Sequence, residues 1–288
     1  MIRMRIDRGC RPAAEHIDFM KMNLSRRFVP FVMGLAIVVG SFGTVVLVTG
    51  CSRPAAAAGM AVSLDGSSGQ VSIPVVTTGI ENVTLEAWVK LPEGAKGCLV
   101  KIGDANTGYG IGVGANHTSF EATSAGNALI ALYENSAWMY PTGDPTISTG
   151  AWHHIAFVIG AVGSAPTFYI DGTPYSAVAP GTPHAPADGA AIGRDLGGNR
   201  STNAMLAKVA VYNSALSAAR ITAHATATSD ATYDAAVLAD SPVAFYELNE
   251  ESGPSASDSS GNSNTGTYSG GVTFLQLGPF GSTQPPKE

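Results

Sequence analysis

Charged side chains are scarce in this chain, whereas glycine and proline are abundant. Only 13% of the 288 residues are Asp, Glu, Lys or Arg, against 34 Gly, 17 Pro and 45% apolar residues. The low charge argues against a coiled coil or a helical bundle, and the apolar content argues against disorder. The composition is typical of a turn-rich β protein that is long enough to bury a sizeable core.

Basic residues are few outside the N-terminus. Residues 1–28 hold seven Lys/Arg and three Asp/Glu, a net charge of +4. The rest of the chain holds nine Lys/Arg and nineteen Asp/Glu, a net charge of −10. The acidic body offers no basic surface for a phosphate backbone, so no nucleic-acid partner is expected. It suits cations or neutral sugars as ligands, although many domains are equally acidic for solubility alone.

Catalytic motifs are also missing. The sequence contains no nucleophile elbow, no phosphate-binding loop, no His-Glu-x-x-His and no Cys-x-x-Cys. It has no Glu-x-Asp-x-Glu pattern that would place two carboxylates across one cleft. His153 and His154 are adjacent in a strand pattern, so they would point to opposite faces. We therefore predict that the protein is not an enzyme.

An apolar run of about 20 residues follows Arg26 and Arg27 and ends at Cys51. Its length and its basic flank predict a signal or anchor helix. The last four residues, VTGC, resemble the bacterial lipobox, in which a peptidase cleaves before a cysteine that then carries lipid. This resemblance implies an exported, membrane-anchored lipoprotein with residues 1–51 as the signal, Cys51 as the lipidated residue and residues 52–59 as a tether. An uncleaved anchor and an ordinary cleaved signal are the alternatives.

The body of the chain has no pair of cysteines. Cys10 lies in the predicted signal, Cys51 would carry lipid, and Cys98 is then alone. We predict no disulfide in the mature domain, with Cys98 as a small buried apolar side chain.

Short alternating runs separated by turns begin at Met60. Such runs predict the strands of a sandwich or barrel, and they occupy residues 83–91, 128–133, 152–159, 167–170 and 204–212. Asp65-Gly66 and Asp171-Gly172 are typical of tight turns. Only residues 214–227 have a helical pattern. The predicted class is all-β.

Three of these regions resemble the laminin G-like family (laminin G 3 type) of the concanavalin A-like lectin/glucanase superfamily. They are residues 63–66 with 83–89 (SLDG and VTLEAWV), 152–158 with 167–172 (WHHIAFV and TFYIDG), and 206–217 (LAKVAVYNSALS). The resemblance covers residues 60–227 and implies an antiparallel jelly-roll sandwich of two sheets. It also implies binding of sugars, glycoconjugates or proteins, with Trp88 and Trp152 in the core.

Residues 228–288 contain a second, partial resemblance to the same family. Residues 238–250 and 258–268 resemble its opening strand and the turn and strand that follow, yet here they come last. We predict that they complete the sandwich of residues 60–227, because an unpaired apolar strand aggregates and the ends of a sandwich lie close together. Pairing with a neighbouring subunit and an unpaired remnant of a tandem array are the alternatives.

The turn in this tail contains Asp258, Asn262 and Asn264. Closely spaced side-chain oxygens suit Ca²⁺, and the resemblance implies calcium near this turn, so these three residues are the candidate ligands. The alternative is an ordinary turn without metal. Ala207 and Lys208 stand where the family commonly has an acidic pair, which weakens the calcium interpretation.

Aromatic rings on exposed segments form the usual platforms for sugars. Trp138 and Tyr140 share one face of a predicted strand, and Tyr109, Asn116 and His117 lie in the glycine-rich stretch before them. These five residues are the candidate ligand-binding set. The alternative is that Trp138 or Tyr140 packs in the core.

The predicted function is therefore non-catalytic recognition of a glycan or a cell-surface protein, outside the cytoplasm and at a membrane. A structural protein that links subunits by strand complementation is one alternative. A glucanase-like glycosidase is the second.

Overall fold

A computed structural model describes residues 36–39, 45–48, 59–77, 79–104, 107–114, 128–134, 137–143, 145–177, 184–187, 189–195 and 200–281. In the N-terminal part, strands β1 (Ala36–Val39) and β2 (Val45–Val48) pair antiparallel. The rest of the predicted signal, Cys51 and residues 52–58 lie outside the described residues. None of the described helices has the length and apolar character needed to cross a membrane.

Residues 59–281 are mostly strands in two antiparallel sheets, which confirms the predicted all-β sandwich. The strands are β3 (Met60–Asp65), β4 (Gln70–Ser72), β5 (Val83–Lys90), β6 (Gly97–Ile102), β7 (Tyr109–Gly114), β8 (Ala128–Glu134), β9 (Ala137–Met139), β10 (Thr146–Ile147), β11 (Trp152–Ile159), β12 (Thr167–Ile170), β13 (Thr173–Ser176), β14 (Ala190–Ile192), β15 (Asn203–Tyr212), β16 (Ala244–Tyr246), β17 (Ser255–Ala256), β18 (Gly266–Ser269) and β19 (Val272–Leu277).

Strands β3 to β19 divide into a nine-stranded and an eight-stranded sheet. The nine-stranded sheet has the order β10-β8-β7-β6-β14-β4-β18-β17, with β9 paired to β8. The eight-stranded sheet has the order β13-β12-β11-β5-β15-β3-β19, with β16 paired to β15. Since side chains alternate across each strand, one face of each sheet turns inward, and the main core between them includes Leu85, Ile111, Phe157, Leu206 and Tyr246.

Two short helices cover the outer face of the eight-stranded sheet. Helix α1 (Ala218–Ala225) begins after Ser217, whose side chain accepts a hydrogen bond from the backbone N–H of Arg220. Helix α2 (Asp230–Ala239) begins at a capping box formed by Ser229 and Thr232. The sequence pattern predicted a helix only at α1. It missed α2 because Thr replaces the usual Glu or Gln of the box and few apolar residues mark a buried face.

A second apolar layer lies between this sheet and the helices. It contains Trp88, Tyr212, Tyr233 and Phe245, with Phe280 packed against it. The Trp88 ring makes edge contacts with the rings of Tyr233 and Phe280. Trp152, expected in the core, is only half-buried, and its indole N–H donates to the Leu277 carbonyl at 3.2 Å.

The C-terminal segment pairs with both sheets of its own chain. Strand β16 pairs with β15, β18 with β4, and β19 with β3. Phe245 and Tyr246 are fully buried, and Tyr268 is 6% exposed. The segment therefore supplies part of each apolar layer as well as ladder hydrogen bonds.

Lys208 connects this segment to the body through charge. Its side chain is 1% exposed, and Nζ lies 3.0 Å from Asp230, 2.8 Å from Asp234 and 3.2 Å from Glu247. The carboxylates stand on α2 and just after β16, whereas Lys208 is on β15. A buried ammonium needs such partners, so the lysine that replaces an expected acidic residue anchors the tail.

Candidate functional site

The outer face of the nine-stranded sheet is built mainly from small residues. Val100, Ile111 and Val113 point into the core, so the register places the intervening positions on the outside. Cys98 is opposite Gly112, Lys101 is opposite Gly110, and Gly112 is opposite Ala131. We call this side of the sheet the outer face; across β4, β14, β6 and β7 it carries Ser72, Ala191, Cys98, Lys101, Gly110, Gly112 and Gly114, of which Ser72 is exposed and the other six are buried.

Lys101 lies along this face, fully buried. Its Cδ is 3.1 Å from the point where a side chain at Gly110 would begin, so glycine leaves the space that the lysine occupies. Its Nζ donates to the carbonyls of Ile102 and Thr107. Burial lowers the pKa of Lys101, and the charge of nearby Asp195 opposes that shift. The Asp195 carboxylate also pairs with Arg200 at 2.8 Å. The outer face thus combines a small-residue floor with buried hydrogen-bonding charges.

Aromatic positions lie at one end of the outer face. Ile130 is opposite Val113 in the β7–β8 pair. Trp138 is opposite Tyr133 in the β8–β9 pair, and Tyr140, two residues further along, is half-buried. The pairing therefore brings the aromatic positions 133 and 138 onto neighbouring strands.

Tyr109 is wrong as a candidate platform for sugars. The ring is fully buried in the core, and its hydroxyl donates to the Thr77 hydroxyl at 3.2 Å. Burial raises the pKa of Tyr109 to about 12. The glycine-rich stretch suggested a loop, but residues 109–114 form β7, whose alternation turns Tyr109 inward. Asn116 and His117 lie outside the described residues.

Cys98 is also buried, at 1% exposure. Burial raises the pKa of its thiol to about 12, with a smaller contribution from the charge of Asp195. The thiolate is therefore scarce at neutral pH, and Cys98 behaves as a packed side chain.

Asp258, Asn262 and Asn264 organise a loop beside β16. The Asp258 carboxylate accepts hydrogen bonds from the backbone N–H groups of Phe245, Ser260 and Asn264 at 2.8–2.9 Å. These bonds lower the pKa of Asp258 against the opposing effect of burial. The amide of Asn262 donates to the Pro242 and Val243 carbonyls, and the amide of Asn264 also donates to Val243.

This arrangement fits hydrogen-bond donors better than a cation. The Asp258 oxygens face N–H groups, the two amide nitrogens face carbonyls, and among the described residues no cluster of three His, Cys, Asp or Glu side chains fits a metal. Calcium stays a prediction with a direct test: millimolar Ca²⁺ should raise the melting temperature, and Asp258→Asn should remove that rise. A melting temperature that does not respond to Ca²⁺ would leave the cluster as a turn.

A buried polar cluster centred on Glu86 lies under the helices. The Glu86 carboxylate is fully buried, accepts from the Tyr212 hydroxyl at 2.6 Å, and lies 3.2 Å from His154 Nε2 and 3.0 Å from His224 Nδ1. The second ring nitrogen of His224 is 3.0 Å from Asp240. Sequence reasoning missed this cluster, because a glutamate on a strand normally indicates an exposed face and the helices that cover it are distant in the chain.

Comparisons with known proteins agree with the sandwich. A native heptameric SAP-like pentraxin from Limulus polyphemus superimposes with a TM-score of 0.51 at 13% identity, covering 77% of this chain and 97% of the pentraxin. A putative carbohydrate binding protein from Bacteroides ovatus superimposes with a TM-score of 0.56 at 17% identity, covering 76% of this chain and 60% of that one. At these identities the likeness concerns the fold. No curated protein matches the chain.

A family model matches more than half of the sequence. It is the Laminin G 3 model of the concanavalin A-like lectin/glucanases superfamily, and it matches residues 65–222. This span contains most of the three regions on which the sequence resemblance rested. The chain therefore belongs to the Laminin G 3 family.

Proposed function

We propose that this protein is an exported, non-catalytic binding module that recognises glycans through the outer face. The observation that carries the proposal is the match of residues 65–222 to the Laminin G 3 model of the concanavalin A-like lectin/glucanases superfamily, and the pairing of Trp138 with Tyr133 supplies neighbouring aromatic positions for a sugar. Aromatic rings beside a few fixed polar groups are the usual elements of a sugar site, since rings pack on the apolar face of a pyranose.

The charges on the outer face support the same proposal. Arg200 is partly exposed and pairs with the buried Asp195 at 2.8 Å, so one fixed charged group is within reach of a ligand, whereas Lys101 is fully buried. The similar structure from Bacteroides ovatus is described as a putative carbohydrate binding protein. At 17% identity, this comparison supports a carbohydrate as the class of ligand and no finer detail.

A glycan array with the purified domain tests the proposal. Any glycan that binds is then titrated against Trp138→Ala and Tyr140→Ala, and each is expected to weaken binding about tenfold, the equivalent of ~1.4 kcal/mol. Tyr175→Ala is the matched control, because Tyr175 is a half-buried aromatic residue on the eight-stranded sheet. No binding on the array, or equal losses in all three variants, would contradict recognition of glycans through the outer face.

A cell-surface protein is a second candidate partner for the same face, and it becomes the better interpretation if the array is empty while the variants change binding to cells. A role in linking subunits has less support, because the C-terminal strands described above pair within the chain. A glucanase activity has less support too, since the sequence has no Glu-x-Asp-x-Glu pattern that would place two carboxylates across one cleft.

Membrane attachment through Cys51 is part of the proposal. The support is the lipobox-like VTGC ending of the apolar run. Metabolic labelling with palmitate should label the wild-type chain, and Cys51→Ser should lose both the label and retention at the membrane.

A further inference from the structure

Three side chains from separate segments meet at one end of the sandwich. The Ser148 hydroxyl lies 2.7 Å from His153 Nε2, and His153 Nδ1 lies 2.7 Å from the Asp171 carboxylate. Ser148 follows β10, His153 belongs to β11, and Asp171 begins the turn between β12 and β13. The cluster therefore joins the edge strand β10 of the nine-stranded sheet to β11 and the β12–β13 turn of the eight-stranded sheet.

Asp171 is held in a fixed position. Its backbone is in the left-handed region, with φ 50°, and Gly172 follows at φ 79°, as the tight hairpin turn requires. Its N–H donates to the His154 carbonyl at 2.8 Å, while its second carboxylate oxygen accepts from the His154 N–H at 2.9 Å. The oxygen that faces His153 is thus aimed by two further hydrogen bonds.

This geometry determines the tautomer of a neutral His153. A carboxylate only accepts, so the proton of the ring must be on Nδ1, where it is donated to Asp171. Nε2 is then the acceptor, and the Ser148 hydroxyl donates to it. A base oriented by a carboxylate and hydrogen-bonded to a hydroxyl is the arrangement that activates a serine nucleophile.

We propose that Ser148 is a covalent modification site, an activated hydroxyl that takes acyl groups from activated esters and phosphonyl groups from fluorophosphonates. Ser148 is exposed, so such a reagent reaches it. In acylation, the Ser148 oxygen forms a bond to the acyl carbon while His153 Nε2 takes the hydroxyl proton. The bond from the acyl carbon to the leaving oxygen then breaks, and the alkoxide or phenolate departs with the electron pair. With a fluorophosphonate the Ser148 oxygen bonds to phosphorus, His153 Nε2 takes the same proton, and the P–F bond breaks to release fluoride.

The reaction is expected to be stoichiometric. The side chain of Asp171 is 48% exposed and that of His153 is 16% exposed, so water screens the charge that develops on the carbonyl oxygen. Fast turnover depends on donors held in a dry site around that oxygen. An acyl group on Ser148 therefore accumulates, which is compatible with a binding module.

A fluorophosphonate probe tests the proposal on the folded full-length chain. Mass spectrometry should find one probe per chain, on the peptide that contains Ser148. Ser148→Ala should abolish labelling, and His153→Gln should slow it by at least about 100-fold, the lower end of the usual contribution of a general base. Ser164→Ala is the control, because Ser164 is equally exposed in a loop away from any histidine contact in the described hydrogen bonds.

The proposal would be overturned by a wild-type chain that is not labelled at Ser148, or by a His153→Gln variant that labels at the wild-type rate. Melting temperatures of all variants, measured in parallel, ensure that folded proteins are compared. A Ser164→Ala variant that also loses the label would count equally against Ser148 as the specific site.

Discussion

A chain that lacks residues 228–288 is expected to unfold or aggregate. The deletion removes α2 and strands β16 to β19, and with them the buried side chains of Phe245, Tyr246 and Leu248. Each loss of a buried side chain of this size costs about 2–5 kcal/mol, so together they rival the ~5–15 kcal/mol that stabilises a whole domain. The deletion also leaves Lys208 buried without its three carboxylates and bares edges of both sheets.

Size-exclusion chromatography and thermal melting of the truncated chain provide the measurement. A truncated chain that stays monomeric and melts like the intact one would show that the tail is dispensable. Two substitutions separate burial from mere length: Phe245→Ala should cost about 3–5 kcal/mol, whereas Leu277→Ala, at 44% exposure, should cost under about 1 kcal/mol. A separate peptide of residues 228–281, which includes α2 with Asp230 and Asp234, should restore folding if the tail acts by strand complementation.

Replacing Glu86 by Ala is expected to cost about 3–5 kcal/mol, the usual effect of removing one partner from a buried ion pair. The substitution leaves His154, His224 and Tyr212 buried without their shared acceptor. It should also loosen α1 from the sheet, because His224 stands on that helix. Chemical denaturation gives the free energy of unfolding, and Glu93→Ala, at an exposed site, is the control. Equal costs for the two variants would contradict a stabilising role for the cluster.

The same cluster predicts how stability depends on pH. Burial by itself would raise the pKa of Glu86, but hydrogen bonds from His154 and His224 lower it to about 2. The contribution of ionised Glu86 to the free energy of unfolding is therefore present above about pH 4.5 and is lost as the pH falls toward about 2. Burial by itself would lower the pKa of His224, yet Glu86 and Asp240 raise it.

For His224 the change of stability with pH has the opposite sign. A raised pKa in the folded state means that its contribution is complete below about pH 6.5 and is lost as the pH rises through the folded-state value. Melting temperatures across the pH range should fall at both ends in the wild type. His224→Gln should remove the decline on the alkaline side, and a decline that persists unchanged would assign it to different groups.

The strands could be predicted because their signal is local. Residues 83–91 alternate in a way that gives β5 almost to the residue, and Asp171-Gly172 marks the hairpin after β12. The places where strands meet depend on contacts between distant parts of the chain. From the sequence alone, the one relation that could be predicted for His153 was that it faces away from its neighbour His154. Nothing in the local sequence indicates that Ser148 and Asp171 flank its ring.

The candidate binding residues illustrate the same difference. Tyr109 was misplaced because glycine-rich sequence indicates a loop unless the neighbouring strands are known, and pairing with β6 and β8 makes that stretch a strand. The pairing of Trp138 with Tyr133 follows only from the register between β8 and β9. Conversely, the turn-forming character of residues 258–264 was visible in their composition, because Asp and Asn side chains bond to their own local backbone.

The pairing of β3 with β19 determines how the domain would respond to tension. These are its first and last strands, they run antiparallel with Met60 opposite Leu277, and the Gly278 N–H donates to the Gly59 carbonyl at 2.7 Å. A force applied through the two adjacent ends would act across the ladder and break its hydrogen bonds one pair at a time. Strands pulled along their length must instead break many bonds together. The sandwich should therefore open by peeling from this corner, at low force, before the rest of the core is disturbed.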